Sequence, residues 1–322
     1  MSDDYQQHLA EVHARLETPD EIVLGALREL TRAEVRARRR IVEGEANEVY
    51  AFGFADGLEV IVRISRDPAK HFEQERWAIG ECARLGVPVP TVLLIRHLSS
   101  DDGPLDLCVQ QTLPGTLLSN SLALPRETLR SLTMQAGEFL SRIHSIPTHG
   151  LGYLDGDGRG AFATFEALTE DFLAQEDDYL ALAGRIGWPP ATMRRLFAFI
   201  DRALRGAAPV RTSLTHNDFF PKHILVEDGQ VTGIIDFGEV SGEPPVNEFV
   251  KWDYLHGESF PIAWLKEGYG DKSLFDSFEA LFPPLRVMCG LSMLWWYDHR
   301  GWAQGVADAK RRLEEDLTRT VA

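Results

Sequence analysis

Residues 39–112 carry strand-type patterning, and most of the chain beyond them carries helical periodicity. Arg40 to Val42 reads as a short first strand. Glu48 to Phe54 is rich in aromatic and β-branched residues, and Glu59 to Ile64 is a stronger run of the same kind. Ala55-Asp56-Gly57 between them has hairpin-turn chemistry. A helical stretch over 68–85 opens at Pro68 and stops at Gly86, ahead of Pro88. Val92 to Ile95 and Leu107 to Gln111 predict two more strands. This order predicts an antiparallel sheet with one main helix.

Pro114-Gly115 punctuates the chain, and the lobe boundary is expected there. Residues 1–112 would form one lobe, with a helical extension over 1–37 that carries Leu9, Val12 and Leu16 on one stripe. Residues 113–322 would form the other. In that second part Leu129, Leu132, Ala136, Phe139, Leu140 and Ile143 recur at three- and four-residue steps, the mark of an amphipathic helix. Residues 164–183, 189–205 and 246–322 also read as helical. A β interruption lies between, from His223 to Glu227, through an Asp228-Gly229 turn, to Val231–Ile235. The class is α+β. The length of 322 residues fits two such lobes at roughly 150 residues per domain.

The charge balance narrows the partners. There are 33 Lys+Arg against 49 Asp+Glu, a formal net charge of -16, which repels phosphate backbones and argues against nucleic acid. No apolar run approaches the roughly 20 residues that a bilayer requires. The N-terminus has no signal-peptide pattern. Cys82, Cys108 and Cys289 include no C-x-x-C pair, which speaks against zinc ribbons and disulfide frameworks. A cytoplasmic protein is expected.

The chemistry concentrates in one stretch. His216-Asn217-Asp218 precedes His223, and Gly233-Ile-Ile-Asp236-Phe237-Gly238-Glu239 follows. Asp218 falls in a polar loop before a strand, and Asp236 ends a very apolar strand. The hairpin at Asp228-Gly229 would bring His223 back beside Asp236. One carboxylate in a loop can accept a hydroxyl proton, and one at a strand end can hold a divalent metal. Phosphoryl transfer needs both roles, because it depends on positioning and charge neutralisation.

His216-x-Asp218, four residues, His223, then Ile-Ile-Asp236-Phe-Gly resembles the catalytic and metal-binding segments of the aminoglycoside phosphotransferase family, relatives of the protein kinases. The resemblance runs over roughly residues 38–300. It implies a bilobal, protein-kinase-like fold. It also implies that Gly44, Asn47 and Val49 form the nucleotide loop. Arg63 on the third strand would neutralise phosphate charge, fixed by Glu75 on the helix. Backbone groups at Gln111 and Leu113 would meet the nucleotide base. Asp218 would be the catalytic base, with His216 orienting its loop, and His223 and Asp236 would hold Mg²⁺. The co-substrate would be ATP or GTP.

Three positions depart from the usual pattern. Arg63 stands where Lys is commoner and keeps the charge. His223 stands where Asn is commoner, as in aminoglycoside 2''-phosphotransferases and macrolide phosphotransferases. Asn247 stands where an Asp usually braces the catalytic loop.

For the acceptor, eight acids and one base between residues 150 and 180 leave a local charge of -7. Glu166 and Glu170 would share a helical face there. Glu239 follows Asp236 closely, and Asp298 follows Trp296-Tyr297. These four acids are the expected contacts of a polyamine-bearing sugar. A solvated acidic helix face accounts for the 150–180 cluster equally well. Macrolide, choline and sugar kinases stay open within the same fold, as does a nucleotide-binding regulator without activity. Two further patterns are set aside. Asp155-x-Asp157-x-Arg159-Gly160 with Glu166 has calcium-loop spacing but places Arg at a ligand position. Gly156-x-Gly158-x-x-Ala161 mimics a dinucleotide fingerprint but follows no apolar strand.

Overall fold

Five antiparallel strands and their covering helix occupy the first third of the chain. The computed structural model describes residues 17–42, 47–67, 72–100, 103–205, 210–276 and 278–321. Helix α1 (Asp20–Leu27) comes first. Strands β1 (Val35–Ile41), β2 (Glu48–Phe54) and β3 (Glu59–Ser65) follow, then α2 (Glu73–Arg84), β4 (Val92–Ser100) and β5 (Gly103–Gln111). The sheet order is β1-β2-β3-β5-β4. Alternation sets its two faces. Val60, Val62 and Ile64 point to one side and pack with Tyr50, Phe52 and with Val23, Ala26 and Leu27 of α1. Arg63, between Val62 and Ile64, faces the opposite way and is nonetheless buried.

The basic run Arg36–Arg40 is strand, not the end of a helix reaching residue 37. Helix α1 stops at Leu27, and β1 forms the sheet edge. The guanidinium of Arg38 lies 4.7 Å from the Tyr50 ring centroid on β2 and pairs with Asp20 at 2.7 Å. Exposed charge suits an edge strand, since it discourages pairing with another chain. Leu9, Val12 and Leu16 lie outside the described residues.

The remainder is mainly helical, with two small sheets among the described residues. It runs β6 (Thr116–Leu117), α3 (Arg126–Ile143), β7 (Leu151–Leu154), β8 (Gly160–Phe162), α4 (Phe165–Leu173), α5 (Glu176–Arg185), α6 (Pro190–Leu204) and β9 (Ser213–Thr215). It continues β10 (Ile224–Glu227), β11 (Gln230–Ile234), β12 (Ser241–Glu243), α7 (Val246–His256), α8 (Ile262–Gly268), α9 (Phe278–His299) and α10 (Ala303–Val321). Strands β6, β10 and β11 form one sheet, and β8-β7-β12-β9 another. The helical stretch over 164–183 is two helices, broken at Ala174-Gln175. The strands β6–β9 and β12 span only two to four residues each, too few for alternation to register in sequence.

Two features tie the parts together. The Pro114-Gly115 segment lies flat on β11, where the Thr232 hydroxyl donates to the Pro114 carbonyl at 2.7 Å. Gly115 has φ +110, and a Cβ there would sit 2.8 Å from the Val226 carbonyl, so a side chain does not fit. Helix α2 also turns Ala78, Ile79 and Cys82 into the large core formed by Leu132, Leu140, Phe197, Phe237 and Phe249 of the helical part. Among the described residues no helix is long and apolar enough to cross a membrane.

Candidate active site

The site lies where β3, α2, the loop before β10 and the end of β11 meet. Arg63 projects from β3. Its guanidinium pairs with Glu75 of α2 and, at 2.7 Å, with Asp236 Oδ1 just past β11. The Arg63 and Glu75 side chains are almost sealed from solvent. Asp236 is 42% exposed and Asp218 23%, so both carboxylates reach solvent. Burial alone would raise the Asp236 carboxyl. Arg63, then His223, outweigh it and hold Asp236 well below the usual carboxylate range. Burial raises Glu75, Arg63 pulls it down, and the Asp236 charge adds to the rise.

Asp218, His223 and Asp236 converge. Their ligand atoms all lie within 4.8 Å of one another. His223 Nδ1 lies 2.8 Å from the Asp218 carbonyl, and in the tautomer that donates there Nε2 carries the lone pair. That nitrogen faces Asp236 Oδ2 at 3.3 Å. Two acceptors so placed repel unless a proton or a cation lies between them. The donor set of one imidazole and two carboxylates therefore fits a divalent ion. Lys222 Nζ lies 3.7 Å from Asp218 Oδ2 and adds a positive charge at the mouth.

The loop that carries Asp218 is held by residues on every side. His216 is fully buried, and burial keeps its imidazole below the usual range. Its Nε2–H donates to the Ile235 carbonyl at 3.1 Å, and its Nδ1 accepts from the Asp218 N–H at 3.3 Å. It links the loop that carries Asp218 to the strand end that bears Asp236, with both ring nitrogens engaged there. Asn217 and Asp236 both adopt φ +66, an uncommon conformation outside glycine. Lys251 of α7 fixes the first through the Asn217 carbonyl (3.1 Å) and side-chain oxygen, and Arg63 fixes the second.

Two bracing residues escaped the sequence. Glu248 of α7, buried, accepts the His216 N–H at 2.7 Å. It does what the departure at Asn247 left undone, one residue further along the helix and with one more methylene of reach. Asn247 instead donates to Glu243. Lys251, one turn on, gave no signal, because a lone lysine in a helix reads as solvated.

The remaining expected residues divide. Gln111 closes β5, and its N–H donates to the Thr91 carbonyl at 2.9 Å. Leu113 touches the β11 backbone at Gly233. Val49 pairs with Arg63 across β2 and β3, and Asn47 immediately precedes β2. Gly44 lies outside the described residues. Glu239 accepts from the Tyr153 hydroxyl at 3.0 Å; Tyr153 is an exposed β7 side chain absent from the sequence reading. Glu166 and Glu170 are exposed on α4, where their field acts on Arg205 at the end of α6. Asp298 accepts from Arg185 at 2.9 Å and ties α9 to α5. None of these last three has a contact with Asp218, His223 or Asp236.

A sheet-bearing unit joined to a helical one, with His216-x-Asp218 and Asp236-Phe-Gly brought together, defines the kinase-like phosphotransferases. The chain belongs to the phosphotransferase enzyme family, which it matches over residues 37–268. It is 23% identical over 205 residues to the hygromycin-B 4-O-kinase of Escherichia coli, an alignment covering 62% of this chain and 57% of that relative. A thermostable mutant of aminoglycoside phosphotransferase APH(4)-Ia, solved with AMP-PNP and hygromycin B, superposes with a TM-score of 0.73 at 19% identity, covering 94% of this chain and 98% of that one. An APH(2'') enzyme with GDP and kanamycin gives a TM-score of 0.63 at 17% identity over 93% and 99% of the two chains. The fold is that of these kinases, as the order of strands and motifs predicts.

Two outcomes follow from the geometry. Glu248→Ala should cut turnover roughly 10–100-fold, as loss of a supporting hydrogen bond does at other sites, with little change in nucleotide affinity. Steady-state kinetics with direct nucleotide titration checks this, and unaltered turnover contradicts it. The second concerns pH. Burial lowers His144 and His216, and burial with Lys222 lowers His256 to about 4. The unfolded chain binds these protons first, near pH ~6.5, so stability is fully present above that value and declines as pH falls from ~6.5 toward ~4. Urea unfolding at pH 7.5 and 5 should show the loss, and His256→Gln should flatten the slope.

Proposed function

We propose that this chain transfers the γ-phosphoryl group of ATP or GTP to a hydroxyl of a small, cation-bearing acceptor of the aminoglycoside type. The convergence of Asp218, His223 and Asp236 within 4.8 Å, beside the Arg63–Glu75 pair, carries this reading. Asp218 orients the acceptor hydroxyl and takes its proton. His223 and Asp236 hold Mg²⁺, which when bound neutralises phosphate oxygens. Arg63, set by Glu75, adds a second cation on the phosphate side. Gly44, Asn47 and Val49 of the Gly44–Tyr50 stretch are assigned to the nucleotide loop. Backbone groups at Gln111 and Leu113 meet the base at the junction, and we place the division between the two lobes at 112–113.

The acceptor side rests on charge and on the relatives. The net charge of -16 favours a cationic acceptor. Glu239 and Tyr153 stand next to the metal-binding turn and form the nearest wall. Glu166 and Glu170 contribute at longer range. A hygromycin kinase and enzymes solved with hygromycin B and kanamycin support this acceptor class. A cytoplasmic setting fits three cysteines that are buried free thiols.

Acceptor-stimulated release of nucleoside diphosphate, measured over a panel of aminoglycosides, macrolides, choline and sugars, tests the proposal. An aminoglycoside should stimulate release. Asp218→Asn should lower transfer by a factor on the order of 10²–10⁴ while nucleotide still binds. Transfer at the wild-type rate in that variant removes Asp218 from the chemistry, and no stimulation by any aminoglycoside removes the acceptor class.

A further inference from the structure

The Asp155–Gly160 segment, neither calcium loop nor dinucleotide fingerprint, is the turn joining β7 to β8. Its hydrogen bonds run inward. Asp155 Oδ1 accepts the N–H groups of Asp157 (2.9 Å) and Arg159 (3.0 Å), and the Asp155 N–H donates to the Arg159 carbonyl at 2.9 Å. The Gly158 N–H donates back to the Asp155 carbonyl at 3.1 Å. The carboxylate is spent on its own backbone, which makes a stiff turn rather than an ion site.

This turn reaches from the helical part onto α2. A Cβ at Gly156 would lie 2.8 Å from the Glu73 Cβ, and one at Gly158 would lie 2.2 Å from a ring carbon of Trp77. Gly158 also has φ +73. The bare backbone of the turn lies against the helix at a distance that side chains forbid. Glu73 and Trp77 are one helical turn apart. Between them in sequence stands Glu75, buried against Arg63. From its other side Glu73 is met by His97 of β4, Nε2 to Oε1 at 3.1 Å, and His97 Nδ1 pairs with Asp106 of β5 at 2.7 Å. The first turns of α2 are thus held between a strand pair of their own unit and a glycine turn from the other.

We propose that the 155–160 turn is an inter-unit positioning device: it seats α2 and so sets Glu75 against Arg63 and Asp236. Gly156, Gly158 and Trp77 are positioning residues and touch no substrate. The consequence for nucleotide rests on the reading of Arg63 as a phosphate-side cation; the seating of α2 does not.

Two measurements separate these levels. Hydrogen exchange over residues 73–84 in the nucleotide-free protein reads the seat. Gly158→Ala should speed it roughly tenfold, while Gly187→Ala should leave it unchanged, because Gly187 shares the positive φ (+64) but has nothing within 4 Å of its Cβ. Titration with AMP-PNP and Mg²⁺ reads the consequence. Affinity should fall about tenfold in Gly158→Ala, stay within twofold in Gly187→Ala, and recover most of the loss when Trp77→Ala is added to Gly158→Ala. Asp155→Ala, which loosens the turn without touching α2, should act in the same direction and serves if Gly158→Ala does not fold. Unchanged exchange in Gly158→Ala and Asp155→Ala overturns the proposal. Faster exchange with unchanged affinity upholds the seat and counts against Arg63 as the phosphate-side cation. Faster exchange in a chain whose wild type binds no nucleotide upholds the seat and counts against the phosphotransfer reading instead.

Discussion

A single buried guanidinium organises this molecule. Arg63 leaves the sheet on the face away from α1 and finds two carboxylates, Glu75 from a helix and Asp236 from the far side of the chain. A buried charge survives only when paired, and removing one partner of such a pair typically costs about 3–5 kcal/mol. The three residues come from elements with separate sequence addresses, so satisfying the charge fixes where β3, α2 and the end of β11 stand. Asp236 then presents Oδ2 to His223 from a backbone at φ +66.

From that point the rest is arrangement around a carboxylate. His223, just ahead of β10, sets Nε2 3.3 Å from Asp236 Oδ2, and Asp218 stands on the other side of the same ring. His216, Glu248 and Lys251 make the loop rigid from below, through backbone groups rather than through the reacting atoms. The surroundings of the two carboxylates differ. Asp236 is gripped by a full positive charge, whereas Asp218 meets an imidazole and the more distant Lys222. That asymmetry matches a division of labour between a metal ligand and a base.

Much of this was legible before any coordinates. The strand runs 48–54 and 59–64, the helix ahead of Gly86 and the His216, Asp218, His223, Asp236 spacing all carry strong local signals, because alternation, glycine punctuation and polar residues at strand ends are local physics. The failures have physical reasons too. Strands β6–β9 and β12 are held by tertiary pairing, with too few residues to show a period. The run Arg36–Arg40 looks like a solvated helix end, yet Tyr50 and Asp20 recruit Arg38 into an edge strand. Glu248 was hidden behind an expectation about Asn247, since reach and helix rotation decide which carboxylate meets the His216 N–H. The glycine turn mimicked two ligand motifs because glycine serves close backbone approach in all three settings.

The most direct test is to replace Mg²⁺ by Mn²⁺ in the AMP-PNP complex and record the pulsed electron paramagnetic resonance spectrum. A directly bound imidazole nitrogen should appear and vanish in His223→Gln. No nitrogen coupling in the wild type, or a coupling that persists in the variant, contradicts the convergence of His223 and Asp236 on the metal.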